Sequence, residues 1–305
     1  MPHTDKFTEI PGCPAVDKVD WVQRRVQITS HMGETIRSFS DWEKYALPPG
    51  RRALHWKEGR SAYELGRAWT AAGEPRTPLA LHQLLESHEG TRDTVISSGI
   101  TEHETALPFS SRGARCHDLA LQAMRCGSPV TISIEAKADE SFGGTVSEEL
   151  QKALHRPVTR FPERLDWLAR SLFGMSLFED EQRRALSGVL CRQPYQLLAG
   201  VAGLLLEAQL HNATRAIFVI HEFRTIKTAD TKLEANAVAL NRFFALLRSR
   251  NRGCNGDEPL PYGQIVGPIS IVERPAGRGM KLPCDIPLFI GKIRTDRQNA
   301  VGGGS

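Results

Sequence analysis

The stretch Thr131-Ile132-Ser133-Ile134-Glu135-Ala136-Lys137 decides the reading of this chain. An apolar, β-branched run favours a strand, and it ends in Glu-x-Lys. Alternate residues of a strand share a face, so Glu135 and Lys137 point the same way from its end. A carboxylate and an ammonium held side by side can bind a metal ion and position a water. That is the chemistry of metal-dependent phosphodiester cleavage.

Working outward, Asp118 precedes Glu135 with sixteen residues between them, enough for the rest of a strand, a turn and the return. The turn signal is Arg125-Cys126-Gly127-Ser128-Pro129. If the strands around Asp118 and Glu135 are neighbours, their carboxylates meet at one edge. Mg²⁺ prefers oxygen ligands and is often held by one or two protein carboxylates plus waters and phosphate. Asp118 and Glu135 satisfy that requirement, and the Ala136 carbonyl is a further candidate ligand. Lys137 is placed to orient a water or to offset charge on phosphate.

The surrounding pattern alternates between helix and strand. A helix is expected over residues 61–71, with Ser61 as N-cap and Glu64 as its capping-box partner. A second is expected over 78–87. Extended segments follow at 94–107, 115–121 and 130–137. Helical periodicity then covers 147–154, 162–173 and 179–190, which reads as a helical insert at about 138–190. A helix at 194–211, a strand buried on both faces at 216–220, a helix at 231–250 and a strand at 287–293 complete the order. The whole is an α/β fold with a mixed central sheet flanked by helices. Residues 1–55 read as an N-terminal cap, 56–298 as the main domain, and 299–305 as a tail ending in a linker-like Gly-Gly-Gly-Ser.

A helix carrying Glu64, a strand carrying Asp118, a Glu135-Ala136-Lys137 strand, then a helix and a strand resembles the PD-(D/E)xK, or restriction-endonuclease-like, nuclease superfamily. The resemblance covers about residues 60–223 and implies an αβββαβ core. It implies that Asp118 and Glu135 bind Mg²⁺, with Mn²⁺ as a substitute, and that Lys137 assists the nucleophilic water. Glu64 corresponds to the acidic residue that many members place beside the metal. Gln196, with Tyr195 next to it, resembles the Gln that some members add to the site. His117 stands where the family often has Pro. The implied function is a nuclease acting on DNA ahead of RNA, as a homodimer where both strands are cut, with bacterial defence as one setting. Two alternatives come from other classes. One is a nucleic-acid- or partner-binding module without turnover, and the other an α/β protein in which Glu135 and Lys137 form a surface ion pair.

Composition is compatible with these readings. The 305 residues are 40% hydrophobic and 24% charged, with a net charge of +4, so a nucleic-acid partner is permitted but not demanded. No apolar run approaches the roughly 20 residues of a membrane span, and Met1–Lys6 lacks a signal-peptide core. A cytoplasmic protein is expected. None of the six cysteines forms C-x-x-C, so free thiols are expected rather than a zinc site or a disulfide framework. His221-Glu222-Phe223-Arg224-Thr225 ends in Thr where a metalloprotease helix needs His. Glu102-His103-Glu104 reads as a solvated strand face, with His103 turned away from the glutamates.

Overall fold

A computed structural model describes residues 24–46, 56–109, 115–155, 159–178, 188–253, 258–274 and 280–297. Its strands are β1 (Gln27–Thr29), β2 (Thr35–Ile36), β3 (Val95–Thr105), β4 (Arg115–Arg125), β5 (Ser128–Lys137), β6 (Arg215–Arg224), β7 (Ile265–Ile269) and β8 (Leu288–Asp296). Its helices are α1 (Phe39–Tyr45), α2 (Ser61–Trp69), α3 (Leu79–Glu86), α4 (Val146–Leu154), α5 (Phe161–Phe173), α6 (Tyr195–Leu210) and α7 (Asp230–Arg250). The strands form one mixed sheet in the order β2-β1-β3-β4-β5-β6-β8-β7.

The centre of that sheet follows from local chemistry. β3, β4 and β5 are an antiparallel meander. The β4–β5 turn needs two left-handed residues, and Cys126 (φ 47°) and Gly127 (φ 77°) supply them between Arg125 and Ser128. β6 then runs parallel to β5, and β8 parallel to β6. A parallel return needs a long crossover, and α6 is the helix that leads into β6. β5 and β6 are buried along nearly their whole length, as expected of parallel strands covered on both faces.

Each face has its own core. Trp42, Leu65, Trp69 and Leu84 from α1–α3 pack on Leu119, Ile132, Ile134, Ile217 and Val219. Leu168, Leu172, Val201, Leu205, Phe243 and Phe244 from α5–α7 pack on Phe218, Ile220 and Ile290. α6 is buried from Leu197 to Ala208, which explains why its sequence is apolar on all sides.

Several expectations change. β1 pairs with β3, and Val26, Ile28 and Trp42 belong to the first core, so the described part of the N-terminal segment is built into the sheet. The insert supplies α4 and α5, whose Val146, Leu165 and Leu168 share a core with α6, so it is not a separate body. Most of the helix expected at 179–190 lies outside the described residues, and 188–190 form a turn. Ser61 is not the N-cap of α2; Arg60 is, and it makes no side-chain cap bond. Glu64 still reaches back, but its Oε1 accepts from the Gly59 N–H at 3.0 Å. Free thiols hold for Cys116, Cys191 and Cys284, whereas Cys126 is disulfide-bonded.

α5 ends at Gly174, whose left-handed φ of 68° lets its N–H reach the Arg170 carbonyl and the Met175 N–H reach Ala169. A Cβ there would be strained and would meet Arg274 Nε at 2.7 Å. Gly174→Ala should therefore cost about 1 kcal/mol of unfolding free energy, read from the urea midpoint at unchanged m-value.

Candidate active site

β5 places its last odd-numbered residues on the face covered by α6. Glu135 and Lys137 are both buried there, and Lys137 Nζ lies 2.6 Å from Glu135 Oε1. Gln196, in the first turn of α6, donates from Nε2 to the same oxygen at 2.5 Å. Asp118 comes from β4. The paired ladder between β4 and β5 runs to Leu119–Ile134, and beyond it the Asp118 Oδ2 accepts from the Ala136 N–H at 2.7 Å. A side chain thus continues what the backbone ladder began, and it fixes the Asp118 carboxylate beside the Glu135-Ala136-Lys137 strand end. Asp118, Glu135, Lys137 and Gln196 are brought together as the sequence suggests.

Glu64 is not among them. It is buried against Gly59 and stands 3.7 Å from Arg297 Nε, and it does not line the cleft described below. Its nearness to the start of α2 outweighs its acidity, and it serves the helix start.

A cleft of about 470 Å³ opens over the strand end, lined by Ser61 and Ala62 of α2, Glu102, Cys116, Asp118, Lys137, Glu140 to Gly144, Glu149, and Tyr195 and Gln196 of α6. Two helix N-termini therefore border it, and these favour negative charge through unpaired N–H groups and the helix dipole.

Three lining carboxylates, Glu102, Glu140 and Glu149, were not placed in the site by the sequence reading. Glu140 accepts from Ser61 Oγ at 2.6 Å and from the Ala138 and Asp139 N–H groups at 3.1 and 2.9 Å. Burial alone would raise its pKa. The Ser61 hydrogen bond, the Lys137 charge and the backbone donors overcome that and hold it below the ordinary value. Its neighbour Asp139 goes the other way, raised by burial and by Glu140. The available signal was an Asp-Glu pair directly after the strand, which reads as a solvated loop until Ser61 is seen to close on it. Glu102 reaches the cleft because its φ of 49° breaks the alternation of β3. His103 then lies 3.1 Å from the buried Glu207 of α6, and Thr105 bonds the same oxygen at 2.8 Å. His103 turns from the glutamates onto α6, Glu102 is half-buried, and Glu104 stays exposed as expected of a solvated face.

Lys137 sits among these charges. Burial would lower its pKa, but Glu135, Asp118 and Glu140 together raise it, so it stays an ammonium at neutral pH. As an ammonium it donates hydrogen bonds and supplies positive charge beside Glu135. Phe142 lies beneath, its ring centre 5.4 Å from Nζ.

Among the described residues, no cluster of three or more His, Cys, Asp and Glu side chains is arranged to hold a metal, and no helix is long and apolar enough to cross a membrane. Neither the curated proteins nor the solved structures contain a match to this sequence. A family model does match, over residues 35–297, and it is described as a domain of unknown function (DUF6946). As that span is most of the chain, the protein belongs to this family.

Proposed function

We propose that the protein is a metal-dependent nuclease of the restriction-endonuclease-like, PD-(D/E)xK type, hydrolysing phosphodiester bonds in DNA. The observation that carries this reading is the convergence on Glu135 of Lys137 and Gln196, with Asp118 tied to the next peptide of the same strand. The element order supports it: α2, the antiparallel β3-β4-β5 meander, α6, and β6 parallel to β5.

The donor set suits a hard divalent cation. Mg²⁺ needs only one or two protein carboxylates beside its waters, so the lack of a three-residue cluster is no obstacle. Asp118 and Glu135 would hold it, with Mn²⁺ as a substitute. When bound, such an ion makes a water more acidic and offsets charge on phosphate. The protein's own groups do the rest. Lys137 donates to a phosphate oxygen or orients the attacking water. Gln196 keeps Glu135 in place. The N-terminal ends of α2 and α6 favour an anion over a cleft otherwise rich in carboxylates. Self-association into a homodimer would give one cleft per DNA strand.

The test is incubation of supercoiled plasmid, linear DNA and RNA in Mg²⁺, Mn²⁺ or EDTA. Cleavage of DNA in metal only is expected. Glu135→Ala and Lys137→Ala should each lower it by about 10²–10³-fold, the scale of losing one charge-stabilising group. Gln196→Ala, which removes an orienting contact, should cost about tenfold. Binding without cleavage would favour the non-catalytic module; neither binding nor cleavage would sink the nuclease reading.

A further inference from the structure

The carboxyl ends of β6 and β8 carry a second group of charges outside the lining of the cleft, next to it through Glu222, the register partner of Lys137. Glu222 and Arg294 are register partners, as are Ile220 and Lys292. Glu222 is fully buried, and its Oε2 accepts from Arg294 Nη2 at 3.0 Å and from the Tyr262 hydroxyl. One carboxylate thus answers Arg294. Lys292 is left over. The residue is 3% exposed, and among the described residues its ammonium has no hydrogen bond or ion pair. Its ammonium instead lies 3.8 Å from the centre of the Tyr262 ring, and the Arg294 guanidinium lies 4.4 Å from the same ring.

This arrangement is costly as it stands. The ammonium keeps only a small share of its hydration, and no carboxylate bonds it in exchange. A second cation on the same ring adds repulsion, and the Tyr262 quadrupole offsets only part of it. Burial depresses the lysine's pKa, Glu222 opposes that and Arg294 adds to it. The cluster lacks one negative charge. Tyr262 is 40% exposed, so the ring offers a way in from solvent. The carboxyl ends of parallel strands are also where open α/β sheets receive ligands.

We propose that Lys292 and Arg294 form an anion site for a phosphate group, with Tyr262 as its wall. Lys292 supplies the unneutralised charge. Arg294, held by Glu222 through Nη2, presents its remaining donors. A tetrahedral phosphate oxyanion accepts from both, and this pairing of a point charge with a planar fork is common in phosphate recognition. The site does not require the nuclease reading, because its groups lie on β6, β8 and the segment before β7.

The experiment is calorimetric titration of the full chain in EDTA, with inorganic phosphate as one probe and a short single-stranded DNA without terminal phosphate as the other. Ionic strength is held with chloride. Wild type should bind at least one probe, and Lys292→Met should weaken that binding by about tenfold to a hundredfold. Loss for both probes assigns a nucleic-acid backbone as the source, and loss for inorganic phosphate alone assigns a free phosphate ligand. Without either probe, Lys292→Met should be as stable as wild type or more so, because it removes an uncompensated charge. Binding of neither probe by wild type, equal binding by Lys292→Met, or a stability loss in that variant with binding intact would overturn the proposal. None of these outcomes depends on whether DNA is cut.

Discussion

Lys137→Met is expected to lower the unfolding free energy by about 3–5 kcal/mol in the absence of metal, the scale of stranding one partner of a buried ion pair. The Glu135 and Lys137 side chains are 1% and 6% exposed, so water cannot replace the lost partner. Three carboxylates, Glu135, Asp118 and Glu140, now draw on this one ammonium. Its removal leaves them facing each other. The double variant Glu135→Gln/Lys137→Met should recover most of the loss, since a neutral amide can still bond Gln196, the most deeply buried carboxylate is neutralised, and Asp118 and Glu140 keep their hydrogen bonds to Ala136, Ser61 and the Ala138 and Asp139 N–H groups. This cycle separates the fold from the chemistry. Under the nuclease reading, saturating Mg²⁺ should also restore much of the stability of Lys137→Met, because the ion would bind the folded carboxylates and not the unfolded chain. Urea melts in EDTA and in Mg²⁺ give both numbers. A Lys137→Met protein as stable as wild type in EDTA would contradict the buried pair. One that is destabilised but indifferent to Mg²⁺ and Mn²⁺ would leave the pair structural and count against the metal site.

The sequence made the centre of this molecule legible and its edges obscure. β5 and β6 were readable because a strand buried on both faces must be continuously apolar, and α6 because its apolar run is too long for a strand. The site residues on those elements, Glu135, Lys137 and Gln196, followed from their positions at strand and helix ends. Asp118 followed from the turn at Cys126-Gly127, which sets the register of β4 on β5. β7 was missed because Gly267-Pro268 interrupts five residues of an edge strand, where a missing N–H is tolerated. α1 was missed because it is seven residues long and rests on a Ser38–Asp41 cap and Trp42 rather than on periodicity. Glu64 was misplaced for another reason. A helix-start glutamate has the same spacing whether it faces a metal or its own preceding loop, and only the loop's geometry decides. Glu102 depended on a left-handed backbone angle at a non-glycine residue, which periodicity does not encode.

Acidification from pH 7 to 5 is expected to cost the wild-type protein about 2 kcal/mol through His221 alone. The ring is fully buried on β6, stacked on Phe223 at 4.0 Å, with Nε2 2.9 Å from Thr295 Oγ1. Burial, helped by the Arg297 charge, lowers its pKa from 6.5 to about 3. The folded state therefore keeps the imidazole neutral while the unfolded chain takes up a proton below pH 6.5. A depressed histidine contributes stability that is complete above the unfolded pKa. That stability declines as pH falls toward 3, with a slope approaching 1.4 kcal/mol per pH unit. The carboxylates of Glu140 and Glu207, held below 4.5, lose their contributions only as pH falls toward and below that value. Most of the window between pH 7 and 5 is thus left to histidine. His82 acts in the same direction through burial, but from a site only partly removed from solvent, so its share is smaller. His221→Gln isolates the effect: an amide can still bond Thr295 and does not titrate. Urea unfolding should show wild type losing about 2 kcal/mol between pH 7 and 5 and His221→Gln losing little. Parallel losses in the two proteins would mean that the ring is hydrated or protonated in the folded state. The close packing of β6 between its two cores argues against both.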